Sequence, residues 1–300
     1  MLQLDGVVIC GCTAPVILDR APPARGGPRL PTPSWPTTYE RQYRVALAPI
    51  VADLRERTAD FAAALGDFAV EDAARMTRAR AVALREKLAA MREAVLERWT
   101  REQIVRQIPV ADIVEGVDAM QRRATFAQLT KAIELSPLDV PADAVALIKA
   151  ADGEFSAAAR DRWTRANAGL IRSMARDHLD SVAEAVDEAV RHGRRASLLA
   201  ETLRERTGIS ARKAKLIARD QIASLQGQVT QARQTKLGIE RYRWRTAGDT
   251  RVRTEHAMRE GQIFSWDRPP PDGHPGQPIN CRCYAEPVIE DVLKGLTRPE

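Results

Sequence analysis

The sequence predicts a mainly α chain that ends in a small α+β module, with long helices first and then a short β-sheet carrying one short helix. Three observations predict it. Apolar residues recur at three-and-four spacing through most of residues 38–195, which is the helical period. After Gly238 the period changes to two. Proline gathers in an N-terminal segment and again in the loop Pro269 to Pro278, leaving the stretches between to form regular elements. The division that follows is an extended arm over 1–37, a helical region over 38–195, an α+β module over 196–290 and a tail over 291–300.

Residues 1–36 hold seven prolines and Gly26-Gly27 and show no lasting apolar period, so they read as an extended arm or linker, either ordering against a partner or a floppy terminus without a role. From Thr38 the helical stripe runs through Tyr43, Leu47, Ile50, Leu54, Phe61, Leu65 and Phe68. A second stripe follows at Leu84, Leu88, Met91, Val95 and Trp99. Further helices are expected around 110–134, 141–151 and 156–191, divided by Pro109, by Ser136-Pro137 with Pro141, and by Asp152-Gly153. His192-Gly193 reads as a helix end. His178, close to Ile171, Met174 and Val182 on one stripe, reads as a structural histidine. Trp99 and Trp163 read as packing residues, and Trp35 as an anchor that seats the arm on a neighbour.

In the C-terminal third, Ser210 is placed to cap a helix running to about Lys236, with Ala211, Ala214, Ala218, Ile222, Leu225, Val229 and Ala232 as its seam. Gly238 ends it, and Ile239 to Arg245 reads as a strand burying Tyr242 and Trp244. A short helix from Asp249 or Thr250 to Glu260 closes at Gly261. A second strand is expected over Gln262 to Trp266 and a third over Cys281 to Val288.

Charge is local. Residues 191–260 contain seventeen Lys/Arg and seven Asp/Glu, a surplus of ten, whereas the whole chain is only +6. Such a block suits a polyanion or an acidic protein surface, with a solvated Arg-rich helix face as the plainer reading. Arg212, Lys213, Lys215 and Arg219 crowd what the sequence presents as the first turns of a helix, where they oppose its dipole. Four cysteines, Cys10/Cys12 and Cys281/Cys283, are too few for a disulfide scaffold in 300 residues, so a reducing compartment is expected. No run of eighteen apolar residues occurs and the first twelve residues carry no basic cluster, so neither a membrane span nor a secretory leader is expected.

Trp244, Asp249, His256, Gly261, His274-Pro275 and Cys281-Arg282-Cys283 fall in order within about forty residues. Together with Lys215-Leu216-Ile217-Ala218-Arg219, Gly238, Trp244-Arg245-Thr246 and Asp249-Thr250-Arg251-Val252-Arg253, they resemble the phage Mu F-type head morphogenesis family, the minor head proteins of tailed phages. The resemblance covers roughly residues 197–289. It implies a non-enzymatic, few-copy virion component in the head interior or at the portal vertex, assembled in the host cytoplasm. Its implied partners are the portal protein and the major capsid or scaffolding protein, with double-stranded DNA as a further contact and no membrane. The region 38–195 would then serve for docking. Arg212, Lys213, Lys215, Arg219, Arg251 and Arg253 would be the residues that meet nucleic acid or a partner.

Family members carry a Cys-x-x-Cys pair soon after the Asp and end in His-Pro-x-Cys-Arg-Cys, which reads as a tetrahedral zinc site. In this sequence those first two positions are Arg253 and His256, and five residues separate His274-Pro275 from Cys281. His256, Cys281 and Cys283 with His274 or Asp249 remain a candidate set for Zn²⁺. The alternative is that Asp249 caps the short helix, the cysteines alternate on a strand and no metal binds. Arg282, between the cysteines, is expected to pair with Asp249. Two rival functions are a metal-dependent nuclease centred on His256 and a DNA-binding scaffold without a capsid role. The first lacks both a His-Asn-His spacing and a carboxylate pair.

Overall fold

The computed structural model describes residues 29–70, 78–136, 155–192 and 196–288, with isolated positions at 140, 143, 144, 146, 290 and 293. Cys10, Cys12, most of the helix expected at 141–151 and most of the tail lie outside the described residues. Seven helices and three strands follow in order: α1 (Thr37–Val70), α2 (Arg78–Arg98), α3 (Arg101–Gln107), α4 (Val110–Leu135), α5 (Ala157–Arg191), α6 (Ala196–Lys236), β1 (Arg241–Arg245), α7 (Thr254–Met258), β2 (Ile263–Ser265) and β3 (Tyr284–Pro287). The mainly α chain with a small C-terminal sheet is therefore what the periodicities predict. None of the described helices is long and apolar enough to cross a membrane.

The stripes read from the sequence become cores. Tyr43, Leu47, Ile50 and Leu54 of α1, Ile171 and Met174 of α5, and Ile217, Ile222, Leu225 and Val229 of α6 meet in the main cluster. That cluster draws on residues from both sides of position 196. Phe61, Leu84, Leu88, Val182, Val186, Leu199 and Leu203 make a second one. Burying Leu199 and Leu203 is the reason α6 starts at Ala196 rather than after Ser210. The helix passes straight through Gly208 and Ser210, because each buried Leu stabilises by about 2 kcal/mol and a helical glycine costs only about 1. Arg212, Lys213, Lys215 and Arg219 accordingly sit in the middle of a long helix, away from its N-terminal dipole.

Several buried polar groups are paired across the helices. Asp53 accepts the Trp99 indole N–H at 2.7 Å and Arg57 Nε at 2.9 Å, tying α1 to the end of α2. Asp118 of α4 accepts Arg233 Nη2 of α6 at 2.7 Å. Tyr43 donates to Asn167 Oδ1 at 2.5 Å and packs edge-on against Trp163. His178 is structural, with Nε2 2.9 Å from Thr58 Oγ1. The Thr58 hydroxyl already donates to the Leu54 carbonyl at 2.7 Å, so the imidazole nitrogen is the donor. Trp35 does anchor the arm, but within this chain: its indole N–H donates to Glu40 at 2.9 Å while Gln128 donates to the Pro31 carbonyl at 2.9 Å.

β1 is the central strand, flanked antiparallel by β2 and β3 in the order β2-β1-β3. Trp244 faces Ala285 in register, and Tyr242 faces both Phe264 and Pro287. Tyr242, Trp244, Trp266 and Ala285 form the module's own apolar cluster. Fully buried Gln234 of α6 fastens the sheet to the helices, donating to the Ala285 carbonyl at 3.1 Å and accepting the Trp266 indole N–H at 3.1 Å. Farther up α6, Gly227 lies so close to the loop that a Cβ there would stand 2.6 Å from the Pro275 carbonyl oxygen. Opposite it, Gly276 (φ +91°) would place a Cβ 2.5 Å from the Ala223 carbonyl oxygen.

Two measurements check this packing. Gly227→Ala is expected to destabilise by about 1–3 kcal/mol in urea unfolding even though alanine favours helix. Gly169→Ala on α5, with nothing within 4 Å of its Cβ, is expected to stabilise by about 0.5–1 kcal/mol. Burial, helped by Arg206, pushes His178 from 6.5 down to about 4. The unfolded chain therefore takes up this proton at higher pH than the native protein does. Stability contributed by neutral His178 is complete above about 6.5 and is lost as pH falls through the native value, by about 2–3 kcal/mol. That loss is expected to vanish from the urea-unfolding pH profile of His178→Gln.

Candidate metal centre

Three side chains from separate segments converge beside β1. His256 lies on α7, and Cys281 and Cys283 lie in the coil before β3. Their donor atoms all fall within 4.8 Å of one another. His256 Nδ1 stands 3.8 Å from Cys281 Sγ and 3.4 Å from Cys283 Sγ. His256 and Cys281 are buried and Cys283 is half-buried.

Two of the three donors are held from behind. The far nitrogen of His256, Nε2, is 2.9 Å from Asp272 Oδ2, and Arg259 donates to the other oxygen of that carboxylate at 2.6 Å. Trp244 packs edge-on to the His256 ring, with centroids 5.2 Å apart, and Arg259 covers the indole face at 5.0 Å. The Gly276 N–H donates to Cys281 Sγ at 3.4 Å. A hydrogen bond from Cys283, reinforced by the Gly276 N–H, lowers the Cys281 thiol to about 6, against the opposing effect of burial. The neighbouring Cys281 sulfur and burial push the Cys283 thiol up.

The geometry fits a tetrahedral metal. Zn–S bonds of about 2.3 Å and a Zn–N bond of about 2.0 Å at tetrahedral angles place N and S about 3.5 Å apart, and the observed 3.4 and 3.8 Å bracket that edge. Two thiolates and an imidazole suit Zn²⁺, and Asp272 behind His256 supplies the carboxylate–histidine arrangement that commonly orients a metal-bound imidazole.

Some expected participants lie elsewhere. His274 is not part of the group: Nδ1 is 2.9 Å from the Tyr242 hydroxyl, the ring packs on Trp266, and burial lowers its pKa. Five residues, where the family pattern has one, separate Pro275 from Cys281. Asp249 is not a ligand here either, and it caps no helix. It accepts the Arg251 N–H at 3.1 Å in a turn, and α7 begins only at Thr254. Its carboxylate does take Arg282 Nη2 at 2.5 Å, the pairing expected from the sequence. The cysteines are not on the strand, because Asn280 (φ 58°) turns the chain just before them and both sulfurs then face His256. Gly261 (φ +79°) closes the segment after α7, its N–H donating to the Trp244 carbonyl at 2.9 Å.

Of the six basic residues singled out for contact, four make intramolecular contacts. Lys213 pairs with Asp177, Arg219 approaches Glu40 at 3.7 Å, Arg251 pairs with Asp249 and Arg253 donates to the Ile279 carbonyl. Arg212 and Lys215 are exposed on α6. Asp272 and Gln234 carry no signal in the sequence, and neither does the pairing of the expected core residue Tyr242 with His274, since each contact reaches a residue far along the chain.

A family model described as phage Mu protein F like protein matches residues 180–286. Residues 180–286 therefore resemble the phage Mu F-like family. The matched span takes in the end of α5, all of α6, α7, both cysteines and the sheet as far as Glu286, so the resemblance read from the sequence and the folded module coincide. The family is one of structural phage head proteins. An uncharacterized protein of Haemophilus influenzae (strain ATCC 51907 / DSM 11121 / KW20 / Rd) is 40% identical over 129 residues, which is 43% of this chain and 29% of that protein. The chain therefore spans less than a third of that relative's length. No solved structure matches.

Removing the Tyr242 hydroxyl tests the structural assignment of His274. Tyr242→Phe leaves a buried imidazole nitrogen without that partner and is expected to cost about 1–2 kcal/mol in thermal or urea unfolding.

Proposed function

We propose that this protein is a minor head component of a tailed phage, docking on the portal vertex or capsid interior during procapsid assembly and contacting packaged DNA. The observation that carries the reading is the Mu F-like match over residues 180–286, which falls on a module folded together with the helical base. The helices supply a scaffold that presents the module, and the surplus of ten positive charges over 191–260 supplies steering toward phosphates or acidic faces. A non-enzymatic role accords with the family. Quantitative mass spectrometry of purified particles is the test. A reproducible low copy number that copurifies with the portal subunit supports the reading, and absence from heads and assembly intermediates rejects it.

His256, Cys281 and Cys283 would hold Zn²⁺ in this role as a clamp between the segment before β3 and α7. Such a clamp suits a module whose three strands are five, three and four residues long. Purified protein is expected to carry one equivalent of zinc, lost in Cys283→Ser. Asp272→Asn is expected to keep the stoichiometry while weakening affinity by about 10–100-fold in chelator competition.

A further inference from the structure

The three donors do not close a tetrahedron by themselves, and the carboxylates around them are committed elsewhere. Asp272 holds the outer nitrogen of His256. Asp249 holds Arg282 and Arg251. Glu260 accepts the Thr246 N–H and hydroxyl together with Arg245. Asp220 accepts the Asn280 N–H at 2.6 Å. His274 is spent on Tyr242. Among the described residues, no further His, Cys, Asp or Glu joins the group.

A cleft of about 50 Å³ opens onto this group. His256, Cys281 and Cys283 line it together with Arg251, Arg253, Arg282 and Asn280. Its volume accommodates one or two water-sized molecules, or a small anion. Its charge balance favours the anion. A divalent metal with two thiolates is neutral, and the cleft adds three guanidinium groups, of which Asp249 offsets one charge.

From the donor count, the cleft and its charge, we infer that the metal centre keeps an exchangeable fourth coordination position facing this cleft, held by water and replaceable by a monodentate anionic ligand. This rests on the zinc reading above and goes beyond it, because a purely structural site takes all four ligands from the protein. A small anion in solution and the carboxylate of an acidic partner side chain share this chemistry. A head-assembly contact made through the centre would be sensitive to competing anions.

The probe is Co²⁺ in place of zinc in the full chain, followed by visible absorption during titration with sodium azide at constant ionic strength. Thiolate-to-cobalt charge-transfer bands with tetrahedral d–d bands show that the donors bind metal. A saturable shift of the d–d bands on adding azide, with the charge-transfer bands retained, is the expected result. In Arg251→Gln the same shift is expected at about two- to five-fold higher azide, with metal uptake unchanged. Titration with acetate in place of azide then separates the carboxylate source from a preference for small inorganic anions. Bands that azide does not move overturn the open position. Absence of any thiolate-to-cobalt band would instead overturn the metal reading itself, an outcome plainly different from an unresponsive spectrum.

Discussion

The approach of the α6 backbone to Pro275 and Gly276 is the contact on which the candidate site depends. A side chain at Gly227 or Gly276 would collide with a carbonyl oxygen, so the loop can lie this low only because both positions lack one. Seated there, Gly276 aims its N–H at Cys281, and the turn at Asn280 brings Cys281 and Cys283 round to His256. Gln234 fixes the sheet to the same helix two turns further on. One helix therefore carries the main core on one side and the module on the other, and what displaces α6 displaces the cysteines.

That arrangement explains why a metal would be useful. The module's apolar cluster is four buried residues, and its strands are short. Packing on α6 and the Arg245–Glu286 pair at 2.8 Å restrain β1 and β3. The turn carrying Asp249 and the five-residue helix α7 are joined to the rest mainly through His256, Arg259, Arg253 and Arg282. A bond from His256 to the cysteine sulfurs through a cation would convert these partly exposed polar contacts into a fixed corner.

Much of this was legible in the amino-acid order, and the misreadings share one cause. Stripes such as Tyr43, Leu47, Ile50 and Leu54 announce a core because helical periodicity is local. Ser210 looks like a helix cap for the same local reason, and that boundary disappears because Leu199 and Leu203 bury themselves against α2 and α5. Asp249 looks like a cap but turns the chain and takes Arg282. Cys281, Cys283 and His256 were legible as a set from residue type and resemblance. The exclusion of His274 was not, because it depends on Tyr242, thirty-two positions away in sequence. Asp272 was invisible on the same ground: a lone acid in a proline-rich loop has no pattern until the fold places it behind His256.

Amide hydrogen exchange on the full chain, with and without one equivalent of zinc, tests most directly the claim that the donors form a clamp on a preformed helical base. The account predicts slower exchange confined to the segments 246–261 and 273–284, with α1, α5 and the first half of α6 unchanged. Zinc that slows exchange nowhere, or that orders the long helices instead, would contradict it.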